Sequence, residues 1–231
     1  MKNVLLDINN NNTLFDCFQN YLNETILADM ASELSQQEAL SMMLNNDQSG
    51  STTVNYGATD GLRGLDSYTS GAASAYGTSG TGITAGIHTI ATVSLGGSSV
   101  TYNKIVDTAK ALPPVYWSLP GTAWHMSPDL ILSLRELKDS QGLPLFLEIG
   151  DKDGAAIGNV FGFPVIPNPY LTSAFPAYLA NWDQFLTIGD TETFNVQMFE
   201  QTKPGYVTLY AEKRVVSSVR SPFAGVRISA A

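Results

Sequence analysis

Apolar residues recur at helical spacing early in the chain: Leu14, Phe18, Leu22, Ile26, Leu27, Met30, Leu34, Leu40, Met43 and Leu44. Steps of three and four place them on one stripe. Asn20, Asn23, Asp29, Glu33, Gln36 and Gln37 fall between them, and no proline interrupts. Thr13 followed by Asp16 resembles a capping box, with Asp in place of the usual Glu or Gln. The pattern predicts one helix over 13–45, stopped by Asn45, Asn46 and Gly50. At 1.5 Å per residue it would be about 45–50 Å long. That is about three times the mean globular helix, so it reads as a scaffold element that needs a long surface to lie on.

The pattern then changes. Residues 47–86 predict a loop, and Ser67 to Gly86 is almost entirely Gly, Ala, Ser, Thr and Tyr. With few large apolar side chains to offset ordering entropy, 66–86 is expected to be irregular and mobile. Alternation through Ile87, Thr89, Ala91 and Val93 predicts a strand over 87–95 with these residues on one face. A helix over about 101–112 follows, with Ile105, Val106, Ala109 and Leu112 on one side. Ser127-Pro128-Asp129 supplies an N-cap, a proline at the first helical position and an acid in the first turn. The helix it starts, with Leu130, Ile131, Leu134 and Leu137 apolar, ends before Gly142. Further strands are expected at 122–126, 144–149, 160–166 and 184–189. Thr193 to Gln201 and Tyr206 to Val219 form a long hairpin turned by Lys203-Pro204-Gly205, with proline at i+1 and glycine at i+2 of a type II turn. A last strand, Phe223 to Ser229, follows Pro222. The class is α+β.

Composition narrows the function. Of 231 residues, 44% are hydrophobic and only 14% charged, against an average of about 25% charged. The net charge is −9 and the pI about 4.5, which argues against a nucleic-acid binder or an anionic membrane surface as partner. Residues 1–50 carry seven acids against Lys2 alone, while Lys203, Lys213, Arg214, Arg220 and Arg227 make the C-terminal end basic. Opposite poles of this kind favour packing between copies. Cys17 is the single cysteine, so no intrachain disulfide forms and a reducing compartment is expected. No apolar run reaches the length of a membrane span, and Asp7 interrupts the short apolar N-terminus before it resembles a signal peptide.

Candidate chemistry is sparse. Gly80-Thr81-Gly82-Ile83-Thr84-Ala85 fits a nucleotide-loop pattern but lacks the preceding strand and following helix. Asp151-Lys152-Asp153-Gly154 starts like a calcium loop, without Glu at the twelfth position. His88 and His125 are far apart with no third ligand candidate. Cys17 has no partner cysteine or catalytic motif. No catalytic, cofactor-binding or metal site is expected.

Several short motifs follow one another along the chain. Ala58-Thr59-Asp60-Gly61-Leu62-Arg63-Gly64-Leu65 is a glycine-leucine turn after the long helix. Ala123-Trp124-His125-Met126-Ser127-Pro128 is a strand-to-helix junction, and Leu137-Lys138-Asp139-Ser140-Gln141-Gly142 the next turn. Gly162-Phe163-Pro164-Val165, Ile188-Gly189-Asp190, and Ala211-Glu212-Lys213-Arg214-Val215-Val216 through Pro222-Phe223-Ala224 complete the series. In this order they resemble the motifs of the tailed-phage major capsid family, which has the Hong Kong 97-like fold. The resemblance implies a long spine helix, a long β-hairpin and a compact A-domain. It divides the chain into a P-domain, 1–100 and 191–220, and an A-domain, 101–190 and 221–231. The implied function is a structural subunit of an icosahedral phage capsid, assembled in the bacterial cytoplasm into a shell enclosing DNA, and not an enzyme. Implied partners are copies of itself in pentamers and hexamers, with scaffold, portal and maturation protease. No membrane and no sequence-specific nucleic acid are implied. Complete members carry an N-terminal arm and an extended loop before the spine helix. The resemblance therefore implies a chain lacking both, which folds but does not close a shell alone. Some members crosslink a lysine to an asparagine beside a glutamate. Glu212 falls near that glutamate, but the donor lysine belongs to the missing loop, so Glu212 is expected to be a strand residue pairing with a neighbour. An encapsulin-type compartment shell and an α+β enzyme with a diffuse site are the alternatives.

Overall fold

The computed structural model describes residues 21, 25–44, 62–73, 83–84, 87–97, 99–138, 141–142, 157–203 and 206–231. The spine is α1, Leu27–Met43, preceded by a wider helical turn at Thr25 and Ile26. Along it Ser35 Oγ donates to the Ala31 carbonyl at 3.0 Å and Gln37 Nε2 to Glu33 Oε1 at 3.0 Å. Tyr21 is helical as well, while 13–20, with Cys17, 22–24 and 45 of the expected 13–45 helix lie outside the described residues.

Two compact units divide the chain. One holds 1–38 and 191–214, the other 39–190 and 215–231, so both the spine and the long hairpin run through the division. In the first unit Glu38 of the spine pairs with Lys213 of the hairpin at 2.8 Å. Both side chains are about three-quarters covered, which makes the pair less screened than an exposed one. Glu38 and Lys213, one acid and one base of the two oppositely charged ends, thus pair within one chain.

The second unit is built on one mixed sheet. Its strands are β1 (Thr69–Ala72), β2 (Ile83–Thr84), β3 (Ile87–Ser94), β4 (Thr122–Met126), β5 (Asn159–Val160), β6 (Phe163–Pro167), β7 (Ala177–Asn181) and β10 (Gly225–Ser229). The order is β1-β3-β10-β7-β4-β6-β5, with β2 on β3. β10 runs parallel to β3, with Val226 beside Ala91, and antiparallel to β7, with Val226 beside Leu179. The two strands of the hairpin, β8 (Leu186–Lys203) and β9 (Tyr206–Val219), pair with each other. Pro204 and Gly205 lie outside the described residues.

Alternation along the central strands fills both faces. Ala177, Leu179, Val226 and Ile228 enter one cluster with Ile105, Leu112, Leu130, Ile131 and Leu134. These last come from α2 (Tyr102–Ala111), its C-cap Leu112 and α3 (Pro128–Glu136), the two helices expected from their periodicity. The Ser127 hydroxyl caps α3 by accepting from the Leu130 N–H at 3.3 Å. Tyr178, Ala180 and Ile90 enter a second cluster with Met43, Leu65, Tyr68, Phe185, Val219 and Ala224.

β3 is the strand expected at 87–95, and residues on both of its faces are covered: Thr89, Ala91 and Val93 on one, Ile90 on the other. Other elements differ from the sequence-based expectation. The 66–86 stretch is not uniformly irregular. Leu65–Ser67 is a 3-10 turn, β1 pairs with β3 and Ile83–Thr84 is a short strand, while 74–82 and 85–86 lie outside the described residues. Thr-Ser-Gly-Ala has no large apolar side chain to mark a strand; pairing with β3 and the Arg227 bond to Ser70 Oγ place it. The 160–166 strand is two strands, closed by a two-residue turn at Phe161-Gly162 with φ of 54° and 84°. The 184–189 strand starts as a helical turn, α4 (Trp182–Phe185), because Trp182 and Phe185, three apart, both turn to the core. The 144–149 segment lies outside the described residues.

Candidate functional site

The sequence candidates do not converge. His88 lies in β3 and His125 in β4, three steps apart in the sheet. At 4.7–4.9 Å per step that is about 14 Å, too far to share an ion. Among the described residues no group of three His, Cys, Asp or Glu side chains could hold a metal. Also among them, no helix is long and apolar enough to cross a membrane. Ile83 and Thr84 of the nucleotide-like pattern lead into a strand, where a phosphate loop would need a helix. Glu212 lies within β9, but its side chain is outside the described residues, as is the Asp151–Gly154 segment.

The most elaborate polar arrangement is one that no sequence motif marked. Arg227, in the middle of β10, is fully buried. Its Nε donates to Thr92 Oγ1 at 3.1 Å and one terminal nitrogen to the Leu65 carbonyl at 2.9 Å. The other donates to the Tyr68 carbonyl at 2.6 Å and to Ser70 Oγ at 2.9 Å. Its guanidinium carbon lies 3.9 Å from the centre of the Phe175 ring. Beside it, Asp66 accepts from the Tyr178 hydroxyl at 2.9 Å and from the Thr172 hydroxyl. Burial raises the Asp66 pKa, opposed by these two hydrogen bonds and by the Arg227 charge. Burial and the Asp66 charge push the Tyr178 hydroxyl up. Arg227 therefore adds nothing to a basic surface pole. The arrangement ties the last strand to the turn after the spine helix. All five guanidinium donors of an arginine point along a fixed plane, and here that plane meets four acceptors from 65–70 and 92. It is a fastening, with four of the five donors directed at structural acceptors.

A second network sits around β4. Asn181 Nδ2 donates to the Pro120 carbonyl at 2.9 Å and to Thr122 Oγ1 at 3.0 Å, and Trp182 Nε1 to the Ala123 carbonyl at 3.1 Å. The His125 ring lies 4.2 Å from that of Trp182. Burial pushes its pKa from 6.5 down to about 4. The fold therefore holds the neutral ring, while the unfolded chain takes up a proton near 6.5. Stability from this site is whole above the unfolded value and is lost as pH falls through 6.5 toward 4, by about 3 kcal/mol in all. Unfolding midpoints at pH 7.5 and 4.5 should show a larger acid loss in the wild type than in His125→Phe, which cannot titrate. Equal losses would show that His125 is not responsible.

A spine helix and long hairpin combined with this mixed sheet make the molecule an α+β protein of the Hong Kong 97-like capsid fold. The chain belongs to the phage capsid family, whose model matches residues 20–227. Solved structures share the fold. The capsid of an empty GTA particle is 20% identical, with a TM-score of 0.63, over 89% of this chain and 65% of that one. The capsid of the native GTA particle is 19% identical, with a TM-score of 0.66, over 91% of this chain and 68% of that one. A structure from Gordonia phage Cozz is 17% identical, with a TM-score of 0.54, over 90% and 63%. This chain thus spans about two-thirds of the length of those relatives. No curated protein sequence matches it.

Proposed function

We propose that this chain is a structural subunit of a phage head, the major capsid protein, whose copies self-assemble into an icosahedral shell enclosing DNA. The observation that carries this reading is the family match across 20–227, which takes in the spine, the sheet and the hairpin together. It favours a phage capsid over an encapsulin-type compartment. The buried Arg227 and Tyr178 and the part-buried Asp66 are engaged with one another, with neighbouring hydroxyls and with the backbone, which suits a structural role. In the same reading the spine helix and hairpin have the P-domain role, and 101–190 with the last strand the A-domain role. Partners are other copies, in pentamers and hexamers, with scaffold, portal and maturation protease during assembly in the bacterial cytoplasm and the virion as final location. The acidic net charge of −9 means that enclosed DNA is held by the closed wall and not by a cationic surface. Sedimentation velocity with negative-stain microscopy on the purified chain tests the reading. Concentration-dependent oligomers are the expected result. A chain that stays monomeric at every concentration would contradict it.

A further inference from the structure

Two long stretches of the second unit contain no Asp, Glu, Lys or Arg: 111–128 and 154–182. The fold brings them together. Trp124 of β4 pairs with Val165 of β6, and the Trp117 ring meets Phe163 edge-on at 6.4 Å. This charge-free region reaches the surface at Val115, 72% exposed, Trp117, 42%, and Phe161, 41%. Phe161 stacks edge-on against Tyr102, itself 40% exposed, with 5.7 Å between ring centres.

Phe161 is also held at a conformational cost. Among the described residues it is the single non-glycine with positive φ. It occupies the first central position of the β5–β6 turn, where both residues need positive φ and Asn, Asp or Gly is favoured. A bulky side chain there is strained. The turn itself favours asparagine there, so backbone geometry does not account for the phenylalanine; its ring contact with Tyr102 does so in part.

We infer that the surface formed by Tyr102, Val115, Trp117 and Phe161 is a contact surface for a second copy of this chain. The inference rests on the shell reading and adds the place of contact. Copies carrying −9 each repel, and a contact that desolvates charge is costly. A region with no charge over two long stretches is where such copies meet at least cost. Interface centres are depleted in charged residues and enriched in Tyr, Trp and Phe. DNA or an anionic bilayer would instead require cations, which the two stretches lack.

Sedimentation equilibrium on the full chain decides this with two variants. Phe161→Asn should raise the melting temperature, because asparagine tolerates positive φ, yet weaken self-association by about tenfold or more. Val115→Asp should weaken association by a similar factor while leaving the melting temperature unchanged, since Val115 is mostly exposed. A merely structural role for Phe161 would not combine a higher melting temperature with weaker association. Wild-type association retained in both variants would overturn the inference and leave the shell reading standing. A wild-type chain that never associates would overturn both.

Discussion

Replacing Arg227 by methionine is expected to destabilise the protein by about 3–5 kcal/mol, the range for breaking a buried charged arrangement from one side. The methionine fills most of the volume but supplies no donor. The Leu65 and Tyr68 carbonyls then lose their guanidinium partners, and each buried acceptor left alone costs about 1–3 kcal/mol. Asp66 also loses the favourable charge that partly offsets its burial. Arg227→Lys should recover only part, because one ammonium cannot reach Thr92, Ser70 and two carbonyls at once. Urea unfolding checks this: the midpoint should fall while the slope stays constant. A shift below about 1 kcal/mol would mean that water or rearrangement satisfies these groups.

Gly64→Ala should be almost as damaging, through crowding. A Cβ on Gly64 would stand 1.8 Å from the Leu44 carbonyl oxygen, 2.8 Å from its carbon and 2.9 Å from the Ser41 carbonyl oxygen. All three atoms are backbone at the end of the spine helix, so no side chain can swing aside. The conformation of Gly64 itself is ordinary, with φ −77°. Space, and not backbone freedom, demands the glycine. Displacing a helix end exceeds the usual 1–3 kcal/mol of overpacking, so a loss of about 3 kcal/mol is expected. In a chain of this size that lowers the melting temperature by about 6–12 °C. Gly158→Ala is the control: nothing lies within 4 Å of its Cβ position, and the change should be within about 0.5 kcal/mol. Equal melting temperatures for the two variants would show that the spine end is free to move.

These two positions show what the sequence could and could not tell. The Gly64-Leu65 pair was legible as a motif, and its reason is now visible: glycine admits the helix end while Leu65 is fully buried beneath it. α3 was legible because Ser127, Pro128 and Asp129 each act locally. β3 and β8 were legible because alternation over several residues needs no partner to be recognised. Arg227 was not, because Gly-Val-Arg-Ile-Ser has the alternation of a strand with one wet face. Only its central place between β3 and β7 buries the other face. Asp66 and Tyr178 are 112 residues apart, and no local pattern connects them. The Phe161 turn was hidden for the opposite reason: it breaks the rule that turns carry Asn or Asp before Gly, so the strand was drawn straight through it. The patch around Phe161 escaped notice because its charge-free stretches become one surface only when β4 and β6 pair.

The central claim is that this chain is the wall of a phage head. Its most direct test is quantitative mass spectrometry of DNA-containing particles purified from cells that carry the gene. Peptides from 20–227 should identify this chain as the most abundant polypeptide of the particle, in large excess over every other component. Particles that lack it, or hold it only in amounts matching their minor components, would contradict the claim.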